Sequence, residues 1–222
     1  GLRKFIVERH YQSDDGNYYV YELVDGSVSF KPEFETFADF LRYNRKIPAY
    51  SLFLDKRSET RLEHTILIGQ TGSGKSVETL NLLLQMLNKP VKYEIFFADP
   101  KGSSLSIIGN ALDKERTAVD VDAIIQLLET FITLMHKRKT ELAELLRTST
   151  DINADYTAFS LEPYVFLFEE YAAFATVLAS EEKKKRDMVK AMLYEVILQG
   201  RQLGFFLFLI MQKSDASLLD TA

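Results

Sequence analysis

The chain has 222 residues, 46% of them hydrophobic and 27% charged, with a formal net charge of −5 and no cysteine. That length accommodates one α/β core plus an appendage. The acidic balance excludes a global basic field for nucleic acid, so any DNA contact has to come from local patches. The absence of cysteine excludes disulfides and thiolate metal sites and is compatible with a reducing, cytoplasmic setting. The longest wholly apolar run, Phe205 to Met211, falls far short of the ~20 residues that span a bilayer, so no membrane contact is expected of this segment.

The first 62 residues read as a small β-rich segment. "KFIVERHY" and "NYYVYELV" alternate apolar and polar residues around "SDDG", which predicts a hairpin. A short helix near "EFETFADFLRYN" and a strand in "AYSLFLD" follow. From residue 63 to 222 the pattern becomes strand–helix alternation, the mark of a parallel sheet covered by helices. The strands are "HTILIG", "KYEIFFAD", "PYVFLFEE" and "FFLFLIMQ". The helices are "KSVETLNLLLQMLN", a long one from about Val121 to Arg147, and "EEKKKRDMVKAMLYEVILQG". The long helix carries Ile124, Leu127, Leu128, Phe131, Leu134 and Met135 on one face. Basic clusters at His136–Lys139 and Lys183–Arg186 lie beside acids and read as solvated helix faces.

Between the first of these strands and its helix lies "GQTGSGKS", which fits the P-loop pattern G-x-x-x-x-G-K-[ST]. Gly69, Gly72 and Gly74 permit backbone angles and close approaches that side chains would block. With Gln70, Thr71, Ser73 and Val77 they frame a phosphate cradle at a helix N-terminus, where partial positive charge faces the anion. Lys75 is expected to bridge the β- and γ-phosphates of ATP, and the Ser76 hydroxyl to ligate Mg²⁺. The guanine-specifying N-K-x-D motif is missing, because "NKPV" has Val91 where the aspartate belongs.

The third strand delivers two adjacent carboxylates. Glu169 is expected to hold Mg²⁺, and Glu170 to polarise the attacking water, which favours hydrolysis over phosphoryl transfer to a small molecule. Gln212, at the tip of the fourth strand, fits a polar sensor of the γ-phosphate.

Together these pieces resemble the FtsK/SpoIIIE family of DNA-translocating ATPases. The matching residues are His64, the "TGSGKS" loop, "DPK" at Asp99–Lys101, "EEYA" at Glu169–Ala172, "RQLG" at Arg201–Gly204 and "MQK" at Met211–Lys213. Glu169 in place of aspartate and "MQK" in place of "TQRP" depart from the cell-division and sporulation branches. They point toward coupling-type motors of Gram-positive conjugative elements.

The resemblance implies a RecA-like motor that forms a homo-hexameric ring around double-stranded DNA and works with other transfer-machinery proteins. A membrane-anchoring segment outside these residues is often part of such proteins. It also implies that the sensor strand lies between the P-loop and acid-bearing strands. Arg201 is then either a phosphate contact across a subunit interface or a structural salt bridge. Two alternatives stand beside the DNA motor: a protein-secretion motor of the same superfamily, and a nucleotide-gated docking module with little turnover. The motor domain is expected to continue beyond residue 222, leaving this segment monomeric or weakly associated and slow in basal hydrolysis.

Overall fold

The computed structural model describes residues 5–13, 16–25, 31–151 and 153–212. Strands β1 (Phe5–Gln12) and β2 (Tyr19–Asp25) pair antiparallel with an irregularity between Val7 and Arg9, as the alternation predicts. Helix α1 (Phe37–Asn44) begins at a capping box in which Thr36 and Asp39 satisfy each other's backbone donors. A second small hairpin, β3 (Ser51–Phe53) with β4 (Glu59–Arg61), follows.

The remaining strands form one parallel sheet. In chain order they are β5 (Thr65–Ile68), β6 (Glu94–Ala98), β7 (Thr117–Ala118), β8 (Tyr164–Phe168) and β9 (Phe205–Met211). Across the sheet the order is β5-β9-β8-β6-β7, and every pairing is parallel. The sensor-bearing β9 thus lies between the P-loop strand β5 and the acid-bearing strand β8, as the family resemblance implies. Helices α2 (Lys75–Leu87), α3 (Ser104–Leu112), α4 (Val121–Leu146), α5 (Tyr171–Ala179) and α6 (Lys183–Leu203) flank it.

Strand period two divides the sheet's side chains between two cores. Phe96, Phe166, Phe168, Phe205, Leu207 and Leu209 face α4, α5 and α6. Ile95, Phe97, Val165, Leu167, Phe206 and Phe208 face the opposite way, toward Leu82, Leu83 and Met86 of α2 and Leu105 of α3. Because both faces are covered, β8 and β9 read as unbroken apolar runs rather than alternating ones. The long central helix packs through its stripe, with Phe131 edge-on to Phe96, Phe166 and Phe205.

Residues 44–62 share the second of these cores. Leu52 and Leu62 are buried in it, and the Gln85 amide makes two hydrogen bonds to the backbone of Phe53. Lys89 Nζ donates to the carbonyls of Asn44, the last residue of α1, and of Ile47 and Pro48 just after it. The stretch "SDASLLDTA", whose sequence reads as a helix start after Ser214, lies outside the described residues.

One basic cluster departs from the expectation of solvated faces. Arg138 of "HKRK" is buried, donating to the carbonyls of Glu162 and Leu203 and to Glu141, with its guanidinium over Tyr164 and Phe205. Its neighbours and the second cluster make interhelical contacts instead: His136 with Glu195, Lys139 with Gln199, and Lys185 with Asp122.

Candidate functional site: a P-loop facing two carboxylates

The carboxyl ends of β5, β9, β8 and β6 converge on one edge of the sheet, where open α/β sheets gather their ligands. The loop from Gly69 begins with its amide donating to Met211 O, so the P-loop leaves the sheet in register with β9. A Cβ on Gly69 would meet Ser73 Oγ at 2.4 Å, so any side chain there requires the serine hydroxyl to turn away. Gly74, at φ 93°, is the residue before α2 and supplies no side-chain cap. The first-turn N–H groups of α2 therefore stay available for an anionic ligand. Lys75 Nζ folds over the loop, donating to Gly69 O at 2.6 Å and Gln70 O at 3.3 Å.

The two acids follow directly on β8. Glu169 N still donates to Ala98 O of β6, whereas Glu170 turns into the left-handed region at φ 52° and precedes α5. The turn aims the two carboxylates at different neighbours. Gln212 Nε2 donates to Glu170 Oε1 at 2.7 Å, and Thr71 Oγ1 of the P-loop reaches Gln212 Oε1 at 3.5 Å. Gln212 thereby links the phosphate cradle to Glu170.

Glu169 and Ser76 line one cavity of about 230 Å³ between α2 and α3, whose other walls include Leu80, Leu83, Leu105 and Ile108. A hydroxyl and a carboxylate are hard oxygen donors suited to Mg²⁺, which keeps its remaining positions for phosphate and water. No cluster of three or more acidic, histidine or cysteine ligands occurs among the described residues. Burial pushes the Glu169 carboxyl above its usual range, reinforced by the Asp99 and Glu170 charges and opposed by Ser103 and Lys75.

The β6–α3 turn supplies residues whose part the motif "DPK" did not reveal. Asp99 is fully buried, and its carboxylate accepts from the amides of Lys101, Ser103 and Ser106. Ser103 Oγ sits 2.8 Å from Asp99 Oδ2 and 2.9 Å from Glu169 Oε2. Lys101 Nζ lies 3.3 Å from Glu170 Oε2. The signal for these contacts was the polar strand end "DPKGSS"; their partners are distant in sequence.

Arg201 is not brought to this edge. It lies near the carboxyl end of α6, one β9 length from the P-loop, about 20 Å at the usual strand rise. It pairs with Glu63 at 3.3 Å, and its side chain remains largely exposed. His64 is nearby, its Nδ1 accepting from Leu207 N at 3.1 Å.

A strand–loop–helix turn with a lysine over it, facing paired acids and a polar strand tip, is the architecture of a P-loop ATPase. The particular family follows from the sequence: the FtsK/SpoIIIE family matches residues 47–215, and the chain belongs to it. A curated relative, the Ftsk domain-containing protein YdcQ of Bacillus subtilis (strain 168), is 28% identical over 159 residues. The match covers 72% of this chain and 32% of YdcQ. The chain thus spans about a third of that relative's length.

Among solved structures, the pCW3 conjugation coupling protein TcpA in its monomer form with ATPγS matches with a TM-score of 0.61 at 18% identity. The match covers 98% of this chain and 62% of TcpA. The cytoplasmic domain of EssC matches with a TM-score of 0.53 at 13% identity, covering 91% of this chain and 45% of that one. At these identities the structural matches establish a shared fold.

Proposed function

We propose that this FtsK/SpoIIIE-type motor domain hydrolyses ATP and couples hydrolysis to movement of double-stranded DNA in conjugative or mobile-element transfer. In this reading the Gly69–Val77 backbone and the α2 N-terminus hold the phosphates, and Lys75 bridges the β- and γ-phosphates. Ser76 and Glu169 would hold Mg²⁺, which supplies charge neutralisation at the phosphates. Glu170 takes the proton of the attacking water, and Gln212 orients Glu170 while facing the γ-phosphate. Arg201, remote from its own site and paired with Glu63, is either a structural salt bridge or a phosphate contact across a subunit interface in a homo-hexamer.

The observation that carries this reading is the Thr71–Gln212–Glu170 chain, which ties the P-loop to the carboxylate proposed as the base. The DNA part rests on family membership and on the likeness to a conjugation coupling protein. The test is steady-state ATP hydrolysis with and without linear duplex DNA across a salt series. Stimulation that fades with rising salt supports the reading, because phosphate contacts weaken as salt increases. Hydrolysis indifferent to DNA but raised by a polypeptide would replace it with a secretion motor. That alternative is favoured by the net charge of −5 and by the likeness to the Type VII secretion ATPase EccC of Thermomonospora curvata, with a TM-score of 0.50 at 19% identity over 74% of this chain and 21% of that one.

A further inference from the structure

We infer that Lys101 is a positioning residue for hydrolysis, holding the Glu170 carboxylate in line from the side opposite Gln212. The inference rests on the proposed ATPase reading and adds to it a residue outside the P-loop, the acid pair and the sensor strand.

The argument begins with the geometry of Glu170. Its backbone has left the sheet and sits in the left-handed region, so the strand no longer fixes where the side chain points. A glutamate has three side-chain torsions, and an unrestrained one would sample many orientations. Two contacts remove that freedom, one per oxygen: Gln212 Nε2 at Oε1 and Lys101 Nζ at Oε2. Their roles differ. The Gln212 amide also faces Thr71 and so answers to the phosphate loop, whereas Lys101 has no such link and serves as the fixed side of the clamp.

What anchors the Lys101 backbone is the residue beneath it. Asp99 is wholly buried and gathers the amides of Lys101, Ser103 and Ser106. The turn carrying Lys101 is therefore pinned to the end of β6 next to β8, the strand that delivers Glu170. Through Ser103 the same turn also touches Glu169. One buried aspartate thus sets two supports, Ser103 under the first glutamate and Lys101 beside the second. An exposed lysine–carboxylate pair contributes little to stability. Lys101 is half exposed, but the Glu170 side chain is only 16% exposed and already engaged on its other oxygen. The pair's contribution is orientation, which governs how well a base meets its proton.

The experiment compares Lys101→Met, Lys101→Arg and Glu170→Gln with the double variant Lys101→Met/Glu170→Gln, using the whole chain. The expected result is a kcat loss of roughly 10–100-fold for Lys101→Met, part of the 10²–10⁴-fold a positioned base supplies. KM for ATP and affinity for a fluorescent ADP analogue should stay within about twofold of the parent, since only orientation is lost. Lys101→Arg should restore most of the rate, and Lys101→Met should cost nothing further once Glu170 is glutamine. Full activity in Lys101→Met would overturn the inference. So would a loss of nucleotide affinity, which would make Lys101 a phosphate contact, or equal losses in both backgrounds, which would make it a structural residue. If the parent chain bound nucleotide without hydrolysing it, the ATPase reading would fail by itself. The pairing would then be read in the parent and in Lys101→Met as the NMR order of the Glu170 side chain, where no change would reject it.

Discussion

The two edges of the parallel sheet treat charge in opposite ways. At the carboxyl edge, Glu170, Gln212, Thr71 and Lys101 come from four separate segments and share partners across them. At the amino edge the cations meet carboxylates or carbonyls away from the P-loop: Arg201 meets Glu63, Arg61 meets Asp155, Lys92 and Arg116 share Glu94, and Arg138 caps the carbonyls of Glu162 and Leu203. The first arrangement can change when a ligand touches any member. The second is neutralised in place and holds the ends of helices and strands together. Charge density alone does not separate site from scaffold; linkage to the P-loop does.

The contrast breaks most sharply at Lys75. Lys75→Ala should abolish measurable hydrolysis, a loss of about 10³-fold or more, and greatly weaken nucleotide binding, with the circular dichroism spectrum unchanged. Wild-type turnover in this variant would remove the carboxyl edge as the working one. Glu170→Gln is next: turnover falls about 10²–10⁴-fold while ATP still binds, as checked by equilibrium binding beside single-turnover kinetics. If Glu169→Gln produced that phenotype instead, and Glu170→Gln only a higher Mg²⁺ requirement, the two glutamates' roles would be exchanged.

At the amino edge the expected effects are on stability. Arg138→Met leaves two carbonyls without their donor and should cost about 2–3 kcal/mol in urea unfolding, with turnover per folded molecule unchanged. Glu94 gives a smaller, pH-dependent effect. Burial pushes its carboxyl up, but hydrogen bonds from Lys92 and Arg116 and their charges outweigh this and leave it below the ordinary 4.5. A depressed carboxyl contributes stability that is present above the unfolded value and lost as pH falls through the folded one. Stability should therefore decline below pH 4.5, and Glu94→Gln should flatten the decline by about 1 kcal/mol or less. Smallest of all is Arg201→Ala, expected to change the turnover of unassembled chains by less than about twofold, since its side chain lies a strand's length from the phosphates. A large loss that appears only on assembly would assign it the contact across subunits.

Much of this division was legible in the sequence. Strands β6, β8 and β9 are apolar runs ending in Asp99, Glu169 and Gln212, and the P-loop fixes where the first helix starts. The strand order came from the family resemblance, since periodicity carries no information on which strands pair. Helix α3 was missed because "SLSIIGNAL" is short and follows a turn, and β7 because it has only two residues. Helix α5 was missed because "YAAFATVLA" is apolar on nearly every side and so lacks a helical stripe. The burial of Arg138 did have a signal. It falls three residues after Met135 and four before Leu142, on the buried stripe of α4, but the surrounding "HKRK" suggested solvent. For contacts such as Ser103 with Glu169 the polar strand end "DPKGSS" was a signal of position but not of partner, because the partner depends on β6 and β8 being neighbours.

The left-handed backbone at Glu170 carries a consequence for anyone selecting hardier versions of this motor. A β-carbon in that region costs on the order of 1 kcal/mol, which glycine avoids and asparagine partly avoids. Either replacement would relax the turn into α5 while deleting the proposed base. A heat-survival screen blind to turnover would therefore enrich changes at position 170 and return robust but idle proteins.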